Sequence, residues 1–481
     1  MGSAASYKSD WQSIFAICAG VKHLLVPAVA SAVFVSGCVE GSDTNQFATV
    51  DVGKQANQMV DGIEVASASG KYLAGRYARR SRDFGTAADY LSDALSIDAS
   101  NKKIRRQTFF ALVSGGRMTE AAVLAKQIVA ADKGAAIANL SLIVEDVVAG
   151  KYDAAANRLE TMPRRGMSTF AAPLLLSWVK SAQGDIPGAV KSLDALKKIA
   201  SFAALRNMHV GLIYEQAGKV ELAGQALKKA TEGTGSVRVV MGYGYFLERQ
   251  GRIAEAEAIY KQYIAKNNSD ALEGTLERVA AIRPPPSFVA TARDGLAEVF
   301  FNLAGTLAQG RSSDLALIYG QMALRLRPDF PLAQLLLGGL MESLSRNAEA
   351  IALYGKVDPK SPMSWSARLR RASSLDEIGK TTQAIAILEQ MAAERKDRFE
   401  PLIRIGDLYR SKKKFEEAIG AYDRAIKRVG TLEKNHWSLL YSRGIAFERA
   451  KRWQNAEKDF LQALELSPEQ PFVLNYLGYS W

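Results

Sequence analysis

Alanine recurs along this chain at a fixed interval. It stands at Ala87, Ala121, Ala155, Ala189 and Ala223, four successive steps of 34 residues, and at Ala256 after a step of 33. After a longer gap the series resumes at Ala316, Ala350, Ala384 and Ala418, again in steps of 34, and closes at Ala456 after a step of 38. Two blocks in one register do not arise from composition. A unit of that length is too small to bury a core alone, so the chain must fold as an array in which each unit is completed by its neighbour.

With these alanines as position 20 of the unit, position 8 is small in most copies: Gly75, Ser177, Gly211, Gly244, Ala304, Gly338, Ala372, Gly406, Gly444 and Gly478, against large Phe109 and Ile143. Position 24 is usually bulky, as in Leu159, Leu193, Leu227, Tyr260, Tyr354, Tyr422 and Phe460. Small residues recur where two helices cross closely. The expectation is that position 20 on a second helix packs against position 8 of the first, while the bulky positions fill the groove to the next unit. Position 15 is glycine at 116, 150, 184, 218, 251 and 379, where a left-handed residue can end the first helix at little cost.

The clearest copy runs Leu402, Ile405, Gly406, Tyr409, Ala418, Tyr422, Ala425, and another ends in Phe460, Ala463, Pro468. This pattern resembles the tetratricopeptide repeat family. The resemblance covers residues 68–481 in eleven full copies, apart from one interruption. It implies an all-α fold of helical hairpins stacked into a right-handed superhelical solenoid that binds protein partners. The chain departs from the family pattern in two respects: the closing proline occurs only as Pro328, Pro362 and Pro468, and Gly320 replaces the bulky residue at position 24.

The interruption separates repeats 1–6 (68–270) from the later repeats (297–481) by an insert at 271–296 that contains Arg283, Pro284, Pro285 and Pro286. A proline triplet cannot continue a helix, so the insert reads as a spacer with an extra helix near 271–281, or as a hinge or docking strap. At the far end Pro471, Leu474, Leu477, Gly478 and Trp481 match the first helix of a twelfth repeat. The expectation is a truncated fragment whose full gene adds at least one more helix.

At the amino terminus, Lys22 and His23 precede a 12-residue apolar stretch, Leu24 to Val35, that ends in Ser36, Gly37 and Cys38. A spanning helix needs roughly 20 apolar residues, so this is a targeting segment. It resembles the lipobox of bacterial lipoproteins, which implies a signal peptide over 1–37 and acyl chains on Cys38. A second apolar patch, Ile14 to Ala19, lies ahead of Lys22 and points to Val21 as the true start. Residue 39 is valine, not aspartate, which in that resemblance implies the outer membrane, facing the periplasm. Residues 38–67, rich in small and polar types, read as a flexible tether.

The chain has two cysteines and three histidines, so no ligand set for a structural zinc site or disulfide framework exists. Gly379, Lys380 and Thr381 look like the end of a phosphate-binding loop, but that loop needs glycine at 374, where serine stands. His209 and His436 lie in different repeats without a carboxylate or serine at triad spacing. No catalytic residue, metal or cofactor is therefore expected.

The balance of 62 Lys+Arg against 50 Asp+Glu gives +12, which favours anionic partners without choosing among them. Arg76, Arg79, Arg80 and Arg82, followed by Lys102, Lys103, Arg105 and Arg106, read either as a solvated helix face or as a patch meeting lipid headgroups. A periplasmic address removes nucleic acid as a partner.

In the tetratricopeptide family, positions 2, 5, 9 and 12 of the first helix line the concave face. Positions 5 and 9 of repeats 3–6 are Leu140, Val144, Leu174, Trp178, Met208, Leu212, Met241 and Tyr245, an apolar run. Such side chains are buried by tight closure of the superhelix, covered by the tether or the proline insert, or open to a partner's apolar helix. Met and aromatic types favour the partner-binding groove. Arg370 and Arg404 occupy position 6, but the carboxylate clamp of chaperone-binding members is not reproduced.

The sequence thus predicts a membrane-anchored protein-interaction scaffold of the bacterial envelope. Two other readings stay open: a scaffold lipoprotein of polysaccharide export or outer-membrane assembly, and the repeat region of an enzyme whose catalytic domain lies outside this fragment.

Overall fold

A computed structural model describes residues 67–232, 236–267, 272–280, 285–310 and 312–480. The expected signal peptide, the alternative start at Val21, Cys38 and all of the tether except Ser67 lie outside the described residues. Among the described residues the regular elements are helices, with no strand.

The chain divides into two compact units. The first holds six helical hairpins and, in addition, the short segment Pro285–Phe288. Its helices are α1 (Ala68–Arg80), α2 (Phe84–Ile97), α3 (Lys102–Ser114), α4 (Met118–Ala131), α5 (Ala136–Val148) and α6 (Tyr152–Thr161). They continue as α7 (Ser168–Ala182), α8 (Ile186–Ser192), α9 (Ala203–Gln216), α10 (Val220–Thr231), α11 (Val237–Arg249) and α12 (Ile253–Asn267).

The second unit opens with α13 (Glu273–Ala280), inside the stretch read as an insert. Its hairpins are built from α14 (Ala292–Gln309), α15 (Ser313–Leu326), α16 (Pro331–Ser343), α17 (Asn347–Gly355), α18 (Ser364–Glu377) and α19 (Thr381–Glu394). They end with α20 (Glu400–Ser411), α21 (Phe415–Val429), α22 (Trp437–Arg449), α23 (Trp453–Leu466) and α24 (Pro471–Ser480). Within the first unit, and from α14 onward in the second, consecutive helices pack as neighbours, each hairpin against the next.

The turn between the two helices of a hairpin is the most uniform feature of the fold. Gly116, Gly150, Gly184, Gly218, Gly251 and Gly379 all have φ between +71° and +79°. In the other described copies of position 15 the same left-handed backbone is held by Arg82, Ser345, Lys413 and Lys451, with φ from +58° to +62°. The amide that follows reaches back five residues in all eleven repeats, as from Arg117 to Leu112 (2.8 Å) and from Lys414 to Tyr409 (2.9 Å). These bonds satisfy carbonyls that a helix end otherwise leaves open. At helix starts, the side chains of Ser67, Asp83 and Asn101 accept backbone amides, which supplies the complementary cap.

All eleven alanines of the period are completely buried. The side chain that comes nearest to position 8 is a different one. A Cβ placed on Gly75, Gly211, Gly244, Gly338, Gly406 or Gly444 would meet Leu91, Leu227, Tyr260, Tyr354, Tyr422 or Phe460, all at position 24 of the same hairpin. On Gly244 it would fall 2.2 Å from the Tyr260 ring, and on Gly406 2.4 Å from that of Tyr422. The missing side chain at position 8 therefore makes room for a bulky residue one turn beyond the alanine. That residue completes its own hairpin rather than serving only as filler between repeats.

Polar ties join successive hairpins. Arg370 of α18 donates to Glu342 of α16 at 3.1 Å and to the Tyr354 hydroxyl at 3.2 Å, and Ser374 donates to Glu342 at 2.7 Å. Arg443 of α22 makes two bonds of 2.7 Å to Asp459 of α23 and one of 2.7 Å to Asp423 of α21. Burial pushes the Asp459 carboxyl above its ordinary value, and the Arg443 pairing works against that shift.

Candidate functional site

The inner positions of repeats 3–6 come together as the sequence places them, but not as an open floor. Leu140, Val144, Leu174, Trp178, Met208, Leu212 and Met241 are all buried; Tyr245 is half-buried. This corrects the expectation of an open partner-binding groove at the seven buried residues. The first helices here are covered on nearly every side: α7 is buried from Ala171 through Val179, and α11 from Val237 through Gly244. Neighbouring repeats meet directly across these faces. The indole of Trp178 donates to Nδ1 of His209 in the next repeat at 2.9 Å, and a Cβ on Gly242 would lie 4.0 Å from Met208.

At repeat 6 the cover is the proline segment. Phe288 is buried, with the Arg238 guanidinium 3.7 Å from its ring centroid and the Tyr245 ring edge-on at 5.7 Å. Arg249 donates to the Pro286 carbonyl at 3.0 Å while also pairing with Glu215. Arg238, Met241, Gly242 and Tyr245 lie on one face of α11, at i, i+3, i+4 and i+7.

The inner face is accessible elsewhere. At the same positions 5 and 9 of repeats 9–11, Leu369, Ser373, Ile403, Asp407, Tyr441 and Ile445 are all half-buried. A charged frame holds this face. Tyr422 donates to Asp407 at 2.8 Å, and Arg410 donates both to the Tyr422 hydroxyl and to Asp407 at 3.2 Å. Burial pushes the Tyr422 phenol well above its ordinary value, so it remains a donor. Arg370, one of the two position-6 arginines, is committed to Glu342 and Tyr354. The sequence signal for this surface is the polar residue at position 9, Ser373 and Asp407, where repeats 3–5 carry Val144, Trp178 and Leu212.

Arg76, Arg79, Arg80 and Arg82 are exposed on α1 and the turn after it. Beside them Leu73 and Tyr77 are 60% and 62% exposed. Gly379, Lys380 and Thr381 form an inter-helix turn like the other five glycine turns. His436 accepts from the Glu433 amide at 2.9 Å and packs edge-on against Phe399. Among the described residues no group of three His, Cys, Asp or Glu is placed to hold a metal ion, and no helix is long and apolar enough to cross a membrane.

A tetratricopeptide repeat family model matches the chain at residues 211–271 and 403–471. No curated protein matches it. Among solved structures, MamA from Desulfovibrio magneticus is 20% identical over 36% of this chain and 96% of its own, with a TM-score of 0.31. A tetratricopeptide repeat protein from Parabacteroides merdae is 16% identical, covering 57% of this chain and 98% of its own, with a TM-score of 0.31. The APC/C hetero-tetramer Cut9–Hcn1 gives 16% identity, 90% and 93% coverage and a TM-score of 0.32.

Proposed function

Because this chain is a tetratricopeptide repeat protein, we propose that it is a protein-interaction scaffold, tethered through lipidated Cys38 to the bacterial envelope and turning over no substrate. The observation that carries the binding role is the half-exposed inner face of repeats 9–11, where Leu369, Ile403 and Tyr441 share the inner register with Asp407, which Arg410 holds. Apolar anchors within a polar rim are what a partner polypeptide needs for affinity and orientation. Repeats stacked in series suit such a role, because stability is spread over neighbour contacts and one face can be occupied without disturbing a common centre.

The envelope address rests on the run from Lys22 to Cys38, and the outer-membrane, periplasm-facing placement on Val39. The test is photo-crosslinking in native membranes from a reactive residue at Ile403, with exposed Val123 as control. A discrete adduct from Ile403 that is absent from Val123 is expected; equal labelling from both positions defeats the assignment of this face.

A further inference from the structure

The segment Pro285–Phe288 has no helical hairpin of its own, yet it belongs to the first unit and is held there by three different kinds of contact. One is the guanidinium of Arg238 at 3.7 Å from the Phe288 ring centroid, which draws on the negative face of the ring. The second is the edge of Tyr245 against the same ring, the geometry that aromatic pairs prefer. The third is Arg249, which reads the backbone by donating to the Pro286 carbonyl at 3.0 Å. Gly242 leaves the floor beneath the ring open: a Cβ there would stand 3.8 Å from Phe288, in contact with it.

Together these features recognise an extended proline-containing segment with an aromatic residue two positions after a proline. Proline pre-sets the extended backbone, so little freedom is lost on docking. The aromatic ring supplies the anchor, and the backbone carbonyl sets the register. None of the three contacts depends on the segment being joined to this chain.

We propose that Pro285–Phe288 is an intramolecular ligand, occupying in cis a site on α11 that accepts a Pro-x-Phe segment of a partner. This rests on the scaffold reading and adds regulation to it: the site is closed until the partner displaces the strap. Since a tethered segment acts at an effective concentration of order millimolar, only a partner of higher affinity or local abundance opens it.

The probe is a fluorescent peptide with the sequence of residues 284–289, Pro-Pro-Pro-Ser-Phe-Val, titrated into the whole chain. The Phe288→Ala chain should bind it at least about tenfold more tightly than the unaltered chain. Adding Arg238→Ala to that variant should abolish binding, as should alanine in place of the peptide's phenylalanine. Equal binding to the unaltered and Phe288→Ala chains, or none to either, overturns the proposal.

Should Phe288→Ala fail to fold, the unaltered chain still decides the matter. Excess peptide should speed hydrogen exchange at the Ser287 and Phe288 amides, and unchanged exchange overturns the idea. A strap-exchanged dimer, seen as a Phe288-dependent rise in mass, also overturns it, since the occupant is then a second copy. Failure of any of these with the Ile403 adduct retained rejects the strap ligand alone; loss of that adduct rejects the scaffold reading instead.

Discussion

The indole Nε1 of Trp178 and Nδ1 of His209 lie 2.9 Å apart, both side chains fully buried, and join the first helices of repeats 4 and 5. The rings meet nearly at right angles, 81°, with centroids 5.9 Å apart. The bond requires a histidine whose Nδ1 carries no proton. The same inner positions of these two repeats carry the buried apolar side chains Leu174, Met208 and Leu212.

Trp178→Phe removes the donor while keeping an aromatic ring in place. The His209 Nδ1 loses its indole partner in a site water does not reach, a loss of about 1–3 kcal/mol. Urea unfolding of the two chains measures it. A change under about 0.5 kcal/mol would show that the bond contributes nothing beyond packing.

The left-handed turns predict a gain. Lys413 and Lys451 hold a backbone conformation that costs an L-residue roughly 1–2 kcal/mol and glycine almost nothing. After the greater flexibility of glycine in the unfolded chain is subtracted, Lys413→Gly and Lys451→Gly should each stabilise by about 0.5–1 kcal/mol. Gly218→Ala should act in the opposite sense. Melting temperatures of the three variants check the signs, and a destabilised Lys413→Gly would contradict the reading.

Two glycine-to-alanine changes should likewise differ in sign. At Gly406 the new methyl would fall 2.4 Å from the Tyr422 ring, and the hairpin must open, at about 1–3 kcal/mol. At Gly420, exposed in the middle of α21, nothing lies within 4 Å and alanine should stabilise by up to about 1 kcal/mol through helix propensity. Denaturation midpoints of the two single variants decide it.

The hairpins and their turns are legible in the amino-acid sequence alone. The alanine series places the hairpins because a site sealed on all sides admits no larger residue, and the six glycines mark their turns because only backbone conformation selects glycine there. Arg82, Ser345, Lys413 and Lys451 escape such a reading, since a non-glycine in the left-handed region leaves no compositional mark. The partner of position 8 also escapes it. Both position 20 and position 24 lie on the facing helix, one turn apart, and periodicity alone does not say which side chain leans over the gap. The state of the inner face is legible least of all: Leu174 or Met208 reads the same whether the next repeat closes over it or a partner does. Polar residues at that register, Ser373 and Asp407, are the informative ones.

Acid should weaken one inter-repeat tie in a predictable window. Arg424 of α21 donates two bonds of 2.7 Å to Glu389 of α19, holding that carboxyl below its ordinary value of 4.5. A carboxyl lowered in the folded state stabilises above its unfolded value and loses that contribution as pH falls through the folded one. Both side chains are partly exposed, so the pair contributes under about 1 kcal/mol. Glu389→Gln should therefore be slightly less stable than the unaltered chain at neutral pH and equal to it below the folded value. A difference that persists in strong acid would assign the effect to packing instead.

If the proposed lipid anchor holds the chain at a membrane, the basic end of the first unit predicts a second hold there, distinct from that anchor. Leu73, Arg76, Tyr77 and Arg80 are spaced i, i+3, i+4 and i+7 and so share one face of α1, a helix that carries no acidic residue. Leu73 and Tyr77 are more than half exposed on it. A basic face with apolar and aromatic side chains suits the headgroup boundary, each cation near an anionic surface contributing about 1 kcal/mol. Acyl chains on Cys38, at about 0.8 kcal/mol per buried methylene, would mask this contribution, so the measurement belongs in a Cys38→Ala chain. That chain should leave native membranes on a salt wash yet still sediment with phosphatidylglycerol-containing vesicles at low ionic strength, where screening is weak. Changing Arg76, Arg79, Arg80 and Arg82 together to glutamine should then lower vesicle partitioning by up to about three orders of magnitude. Unchanged sedimentation of the quadruple variant would make these arginines a solvated helix face. Retention of Cys38→Ala on membranes after the salt wash would remove the lipid anchor as the main attachment.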